Sequence, residues 1–295
     1  VAMDAGYQCI ADLINADVDD LTIGPSTTLN LYVLAQAFRP SLKAGDEIIV
    51  TNQDHEANIG NWRRLSEFGV VIKEWQVNAT TGELNTNDLK RLISNHTRLV
   101  CFTLCSNIVG TMNDVKTIST IAHEVGALAI ADGVAFAPHQ IPDVNELGVD
   151  VYLHSTYKTF GTHLGVMWIK KSIMEKLTPQ GHYFNAEKPH FHMNPTGPLH
   201  AEIAALTGIG NYYDTIYEHQ FGISKLSRHE RASKVFELFA KHEQKLSNLL
   251  LNTLQKYPEV KIFGLPEATE GNRAGTISFV HKNIKSSDIV TKLLE

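Results

Sequence analysis

Seven short apolar runs, spaced through the first 170 residues and separated by helical patterns, constrain this chain more than any other feature. They read DLTIG, DEIIVT, VVIKEWQV, TRLVCFTLCS, ALAIADG, VDVYLHS and HLGVMWIKK, and they are rich in Val, Ile and Leu. Between many of them lie stretches such as Asp114–Gly126, with a leading Asp, apolar spacing of three to four, and a closing Gly. Strand alternating with helix requires crossover connections, which predicts an α/β fold with a largely parallel sheet covered on both faces. In such sheets ligands sit beyond the carboxyl ends of the strands. The residues that follow each run are therefore the ones that carry chemistry.

At 295 residues the chain has room for one large domain or two smaller ones. From about residue 221 the pattern changes to a long charged helical stretch ending near Tyr257, and strand signals return in VKIFG and AGTISFVH. This predicts a large domain over 1–220, then a connecting helix and part of a small C-terminal α/β domain over 221–295. VAMDAGYQCIADLINAD opens inside an amphipathic pattern and SSDIVTKLLE stops in one, so the expectation is a piece of a longer protein, cut at both ends. Lys+Arg 26 against Asp+Glu 32 gives a net charge of −6, which with no basic block argues against a nucleic-acid partner. No apolar run is long enough to span a bilayer, so no membrane partner is expected. Cys9, Cys101 and Cys105 form neither a disulfide framework nor a C-x-x-C pair, and a reducing, cytoplasmic setting is expected.

Chemically capable residues collect at the strand ends. Gly24-Pro-Ser-Thr-Thr28 precedes a helical run; it reads as an ordinary N-cap or as an anion cradle. His55, in Asn52-Gln-Asp-His55, is a cap neighbour, a metal ligand or a catalytic imidazole. No second ligand stands at a metal spacing, so no metal is expected. Asn107 lies in a turn where amides are common. Asp132 follows five apolar residues and needs a cation or N–H partner if it is buried there. Ser155 and Lys158 reach the same edge.

A lysine at that edge is either a snorkelling or ion-paired side chain or an active amine. Desolvation destabilises the ammonium, and the free amine attacks an aldehyde to form a Schiff base. Pyridoxal 5′-phosphate is the common aldehyde cofactor, and it requires an acid for its ring nitrogen and a cradle for its phosphate. Asp132 supplies the first; the Gly24–Thr28 turn and Ser155 are candidates for the second. The residues taken alone leave Lys158 balanced between its two readings.

With these motifs in this order, the chain resembles the class V aminotransferase superfamily, and within it the cysteine desulfurase-like branch. The likeness runs from about residue 1 to 210, and more weakly into AGTISF. The resemblance implies a phosphate turn at Gly24-Pro25-Ser26-Thr27 and a ring-stacking His55 within Asp54-His55-Glu56-Ala57-Asn58-Ile59. It implies Asn107, in Ser106-Asn107-Ile108-Val109-Gly110-Thr111, near the ring oxygen or substrate. It makes Asp132, in the D-G-x-x-x-x-P-H motif ending at His139, the ring-nitrogen partner. Ser155-Thr156-Tyr157-Lys158 stands for the family's S-x-H-K, with Lys158 forming the internal aldimine. Two departures stand out: Ala135 replaces a glutamine donor to the ring oxygen, and Tyr157 replaces a histidine whose phosphate role its hydroxyl would inherit.

The family fold, fold type I, is a seven-stranded, mostly parallel sheet between helices, plus a small C-terminal domain. Its members are usually homodimers, and Asn194–His200 falls where the family sends a loop to the neighbour's phosphate, which makes Thr196 a candidate. The expected chemistry is a pyridoxal-phosphate-dependent lyase or transferase acting on a small amino acid. Lys158 and His55 would move protons and Asp132 would hold the ring nitrogen protonated. Sulfur removal from L-cysteine leads; an aminotransferase, an isopenicillin-N-epimerase-like enzyme, another β-lyase or a non-catalytic relative are the alternatives.

Overall fold

The computed structural model describes residues 1–188 and 191–295. All seven apolar runs are strands of one sheet: β1 (Leu21–Gly24), β2 (Glu47–Thr51), β3 (Val71–Trp75), β4 (Thr97–Thr103), β5 (Leu128–Asp132), β6 (Val151–Ser155) and β7 (Gly165–Ile169). Their order is β1-β7-β6-β5-β4-β2-β3. The five strands from β6 to β3 run parallel, while β7 is antiparallel to both β6 and β1. Two reversals restore direction, so β1 delivers its carboxyl end to the same edge as β2, β4, β5 and β6. Gly165 at the start of β7 pairs with both Gly24 and Ser155 at that edge.

The strands are apolar because both faces are covered. Ile48, Val50, Leu99, Cys101, Ile130 and Leu153 pack under α2 (Thr27–Phe38) and α3 (Glu56–Arg63), which contribute Leu31, Leu34, Ile59 and Trp62. Ile49, Val100, Phe102, Ala129 and Ala131 alternate to the other face. There they meet α1 (Ala2–Ile14), α5 (Val115–Glu124) and α8 (Thr207–Phe221), across residues such as Ile10, Ile118 and Tyr213. Between these, α4 spans Thr86–Leu92, α6 Lys171–Met174 and α7 His200–Ala204.

The long charged stretch becomes α9 (Arg228–Leu254), opened by a capping box in which Ser227 and Glu230 exchange hydrogen bonds. It begins seven residues later than the change in sequence pattern at 221, because the box and not the charge content sets its start. Ala232, Val235 and Phe236 lie in the same core as α1 and α8. Beyond it, β8 (Val260–Phe263) and β9 (Ser278–His281) form an antiparallel pair, followed by α10 (Ser286–Leu294).

An ion cluster around buried Asp150 fastens the opposite end of the strands. Asp150 accepts from Ala129 N at 2.8 Å and Lys170 Nζ at 2.9 Å, and pairs with His123 Nε2 at 2.7 Å. Despite burial, these partners hold its carboxyl below the usual carboxylate range. Asp150→Ala orphans a buried backbone N–H, so a loss of about 2 kcal/mol is expected in urea unfolding. A depressed folded pKa gives stability that is present above the unfolded value and lost as pH falls through the folded one. The gap between wild type and variant is therefore widest at neutral pH and closes below about pH 4. An equal gap at pH 7 and pH 3 would remove the ionised carboxylate from this account.

Candidate active site

The carboxyl ends of β2, β4, β5 and β6 and the start of α2 surround one cleft with about 500 Å3 of open space, counting its mouth. Thr27, Thr28, His55, Thr103, Asn107, Asp132, Ala135, Ser155, Tyr157 and Lys158 all line it. Seven of the nine residues singled out from sequence thus meet in one place; Ser26 and Thr196 do not line it.

At one end, α2 starts two residues earlier than its apolar pattern, at Thr27, with Ser26 as N-cap. The Ser26 hydroxyl is committed to Leu29 N at 3.1 Å, which leaves Thr27 and Thr28 as the hydroxyls facing the cleft. Buried Thr27 Oγ1 and Ser155 Oγ are 2.7 Å apart, joining the α2 start to the end of β6. Gly165 makes this approach possible: a Cβ there would stand 2.3 Å from Ser26 C and Thr27 N. A helix N-terminus with free N–H groups, flanked by two hydroxyls, suits a phosphate.

Lys158 follows β6 in a short 3-10 turn over Thr156–Thr159 and is half-buried at the cleft wall. Its Nζ lies 5.9 Å from the centre of the Tyr157 ring. The exposed Tyr157 ring stacks flat on His163, with centroids 4.8 Å apart and planes 3° from parallel. His163 in turn reaches Pro25 O at 3.4 Å, tying the lysine turn to the phosphate-type turn.

Asp132, lining the same cleft, is 4% exposed. Its Oδ1 accepts Val134 N at 2.8 Å. Burial pushes its carboxyl above the usual range, while the Val134 N–H and the charges of Lys158 and His55 oppose that rise. The acid and the amine therefore sense each other electrostatically across the space. His55 is the N-cap of α3, its Nδ1 accepting Ala57 N at 3.1 Å. That bond fixes Nδ1 as the acceptor and leaves Nε2 to carry the proton of the neutral ring. Asn107 sits half-buried in a turn whose Ser106 Oγ accepts Ile108 N and Val109 N. Ala135 contributes a methyl group where a donor was sought.

Thr196 is exposed, outside this cleft, with its hydroxyl on Gly197 O at 3.3 Å. Sequence reading overlooked Thr103, which lines the cleft, because TRLVCFTLCS was read as strand through Ser106 although β4 ends at Thr103. It also passed over Asp54, a motif position given no role. The cysteines are away from the cleft: all three are free and buried, and burial pushes the Cys105 thiol up to about 12.

An amine and a buried acid lining one cleft, with an anion cradle beside them, define an α/β protein built to hold a phosphorylated aldehyde cofactor. The residues present fit pyridoxal phosphate. The family model for aminotransferase class-V matches residues 2–295, and the chain belongs to that family, whose members depend on pyridoxal phosphate. Among curated relatives, the aminotransferase-like protein FGM3 of Gibberella zeae is 36% identical over 97% of this chain and 68% of its own length. The cysteine desulfurase-like protein ustD of Aspergillus flavus is 31% identical over 96% of this chain and 63% of its own. The chain thus spans about two thirds of the length of these relatives. The solved structure of the cysteine desulfurase CsdA from Escherichia coli superposes with a TM-score of 0.80 at 23% identity, covering 99% of this chain and 71% of that one. That likeness is one of fold.

Proposed function

We propose that the chain forms the cofactor site of an enzyme that acts on a small amino acid, and that its reaction is desulfurase-like removal of sulfur from L-cysteine. The observation that carries this reading is that Lys158 and Asp132 line one cleft together with the Thr27–Ser155 cradle. When bound, pyridoxal phosphate supplies an electron sink for charge developing at the substrate Cα. Lys158 would hold the aldehyde, and its amine would serve as the base for the Cα proton. Asp132 keeps a proton on the ring nitrogen. Thr27 and Ser155, with the N–H groups opening α2, would hold the phosphate, with Tyr157 beside them; Ser26, expected there from the sequence, caps α2 instead. His55 would pack against the ring with its Nε2 proton available for transfer, and Asn107 would serve the ring oxygen.

Residues 1–220 act as the cofactor-binding domain and 221–295 as the connecting helix and start of a smaller domain. The protein works as a homodimer in the cytoplasm. Exposed Phe160, Tyr183 and Phe184, and an exposed Thr196 outside its own cleft, support a subunit boundary here. Three free thiols are in keeping with a reducing compartment.

A class V aminotransferase is the second reading, favoured by the higher identity to the aminotransferase-like relative. Adding L-cysteine to the full-length protein separates the two. With an added thiol as reductant to release the transferred sulfur, sulfide and alanine in equal amounts are expected. An oxo acid formed without sulfide would replace the first reading by the second. A cofactor spectrum indifferent to every amino acid tried would retire both in favour of a non-catalytic relative.

A further inference from the structure

Asp54 stands one residue before His55, and the chemistry above gives it no task. Thr51 Oγ1 accepts the backbone N–H groups of Gln53 and Asp54, at 3.0 and 3.1 Å. With both lone pairs engaged, that hydroxyl is left as a donor, and it bonds Asp54 Oδ2. Asn58 Nδ2 donates to Asp54 Oδ1 at 2.6 Å. The Asn58 side chain is fully buried, and its own Oδ1 has no partner. A buried acceptor without a donor is unfavourable, which leaves the orientation of this amide open to exchange. Amide oxygen and nitrogen are assigned by their partners, and with the amide turned over Asn58 Oδ1 would accept a proton carried by Asp54 while Nδ2 took the unpartnered place.

The position of Asp132 supplies the reason for such a proton. Thr103 is the register partner of Asp132 in the β4–β5 ladder, and its backbone lies against the Asp54 carboxyl. Two acids thus bracket one residue of β4, and low-dielectric surroundings disfavour charging both. Asp132 has Lys158 and His55 to favour its charge. Asp54 faces Asp132 itself and the buried Cys101 thiol of β4, with His55 and exposed Glu56 following it in the chain.

We propose that Asp54 is a positioning residue that carries the proton of this acid pair and leaves Asp132 as the ionised acid of the site. The proposal rests on the reading of Asp132 as the ring-nitrogen partner. Burial, reinforced by the charge of Asp132, pushes the Asp54 carboxyl up to about 7 against the pull of Thr51 and Asn58. Asp54 therefore gives up its proton as pH rises through neutrality. The folded chain keeps a proton that the unfolded chain releases near 3.8, so stability falls between those two values and levels off above them.

Infrared difference spectra of the cofactor-free full-length protein, recorded from pH 5 to 9, test this directly. Wild type is expected to lose one protonated-carboxyl C=O band near pH 7. Asp54→Asn lacks that band, and Asp132→Asn keeps it with a midpoint moved to lower pH, because the neighbouring charge is gone. Asp54→Asn also melts above wild type at pH 8, by a margin that shrinks towards pH 4. A band that survives Asp54→Asn, or a midpoint indifferent to Asp132→Asn, overturns the proposal. These readouts need no bound cofactor. A titrating Asp54 in a protein that fails to take up pyridoxal phosphate would sink the cofactor reading and leave the shared proton standing.

Discussion

Lys158→Arg is expected to abolish the visible absorbance that pyridoxal phosphate acquires on bonding to a lysine amine, and to lower turnover about a thousandfold or more. Arginine is the stringent choice because it keeps the positive charge that Asp132 senses. It also keeps a long apolar stem beside the Tyr157 ring. What it loses is a deprotonatable primary amine, since a guanidinium stays charged and does not bond the aldehyde. A lysine that merely paired with the acid or snorkelled along the cleft wall would tolerate the change. Retention of the lysine-type band or of substantial turnover in the arginine variant would therefore end its assignment as the reactive amine. Far-ultraviolet circular dichroism and the melting transition are expected to stay near wild type, because Lys158 is half-buried in a short turn beyond β6 and belongs to neither apolar cluster.

The sheet was legible because both of its faces are covered, which makes strands such as Val151–Ser155 and Gly165–Ile169 buried at every position. The strand-end rule then located His55, Asp132 and Lys158 without any knowledge of pairing, because each is delivered by a strand pointing the same way. Contacts between distant segments left no such trace. The Thr27–Ser155 bond joins positions 128 apart, and nothing local in either segment announces it. The stack of Tyr157 on His163 similarly depends on the turn that separates β6 from β7. Helix α8 was passed over for a different reason: Gly208 and Gly210 weaken its local helical signal. Gly210 is there for packing, since a Cβ would stand 2.6 Å from Cys9 Sγ on α1. Asp54 shows the same limit at the site. Its motif position was visible, but the orphaned acceptor on Asn58 and the second acid across Thr103 exist only in three dimensions.

Asp132→Asn is expected to lower turnover by about 10²- to 10³-fold while raising the melting temperature of the cofactor-free protein at pH 8. The two effects have one cause. Burial disfavours the ionised carboxylate, so the folded-state pKa lies above the unfolded value. A group raised in this way subtracts stability as pH climbs from the unfolded value through the folded one. Asparagine carries no charge to desolvate, and its carbonyl still accepts the Val134 N–H that Asp132 Oδ1 accepts at 2.8 Å. The variant therefore escapes the cost, and its advantage over wild type disappears as the solution approaches pH 4, where unfolded aspartate also protonates. Catalysis moves the other way, because a neutral amide cannot hold a ring nitrogen protonated. An acid kept for the fold alone would show both properties falling together when replaced. A more stable protein with impaired turnover, still able to bind pyridoxal phosphate through Lys158, is the outcome that identifies Asp132 as an acid retained for chemistry at the expense of the fold. Unchanged turnover, or a lower melting temperature at pH 8, would assign it to the scaffold instead.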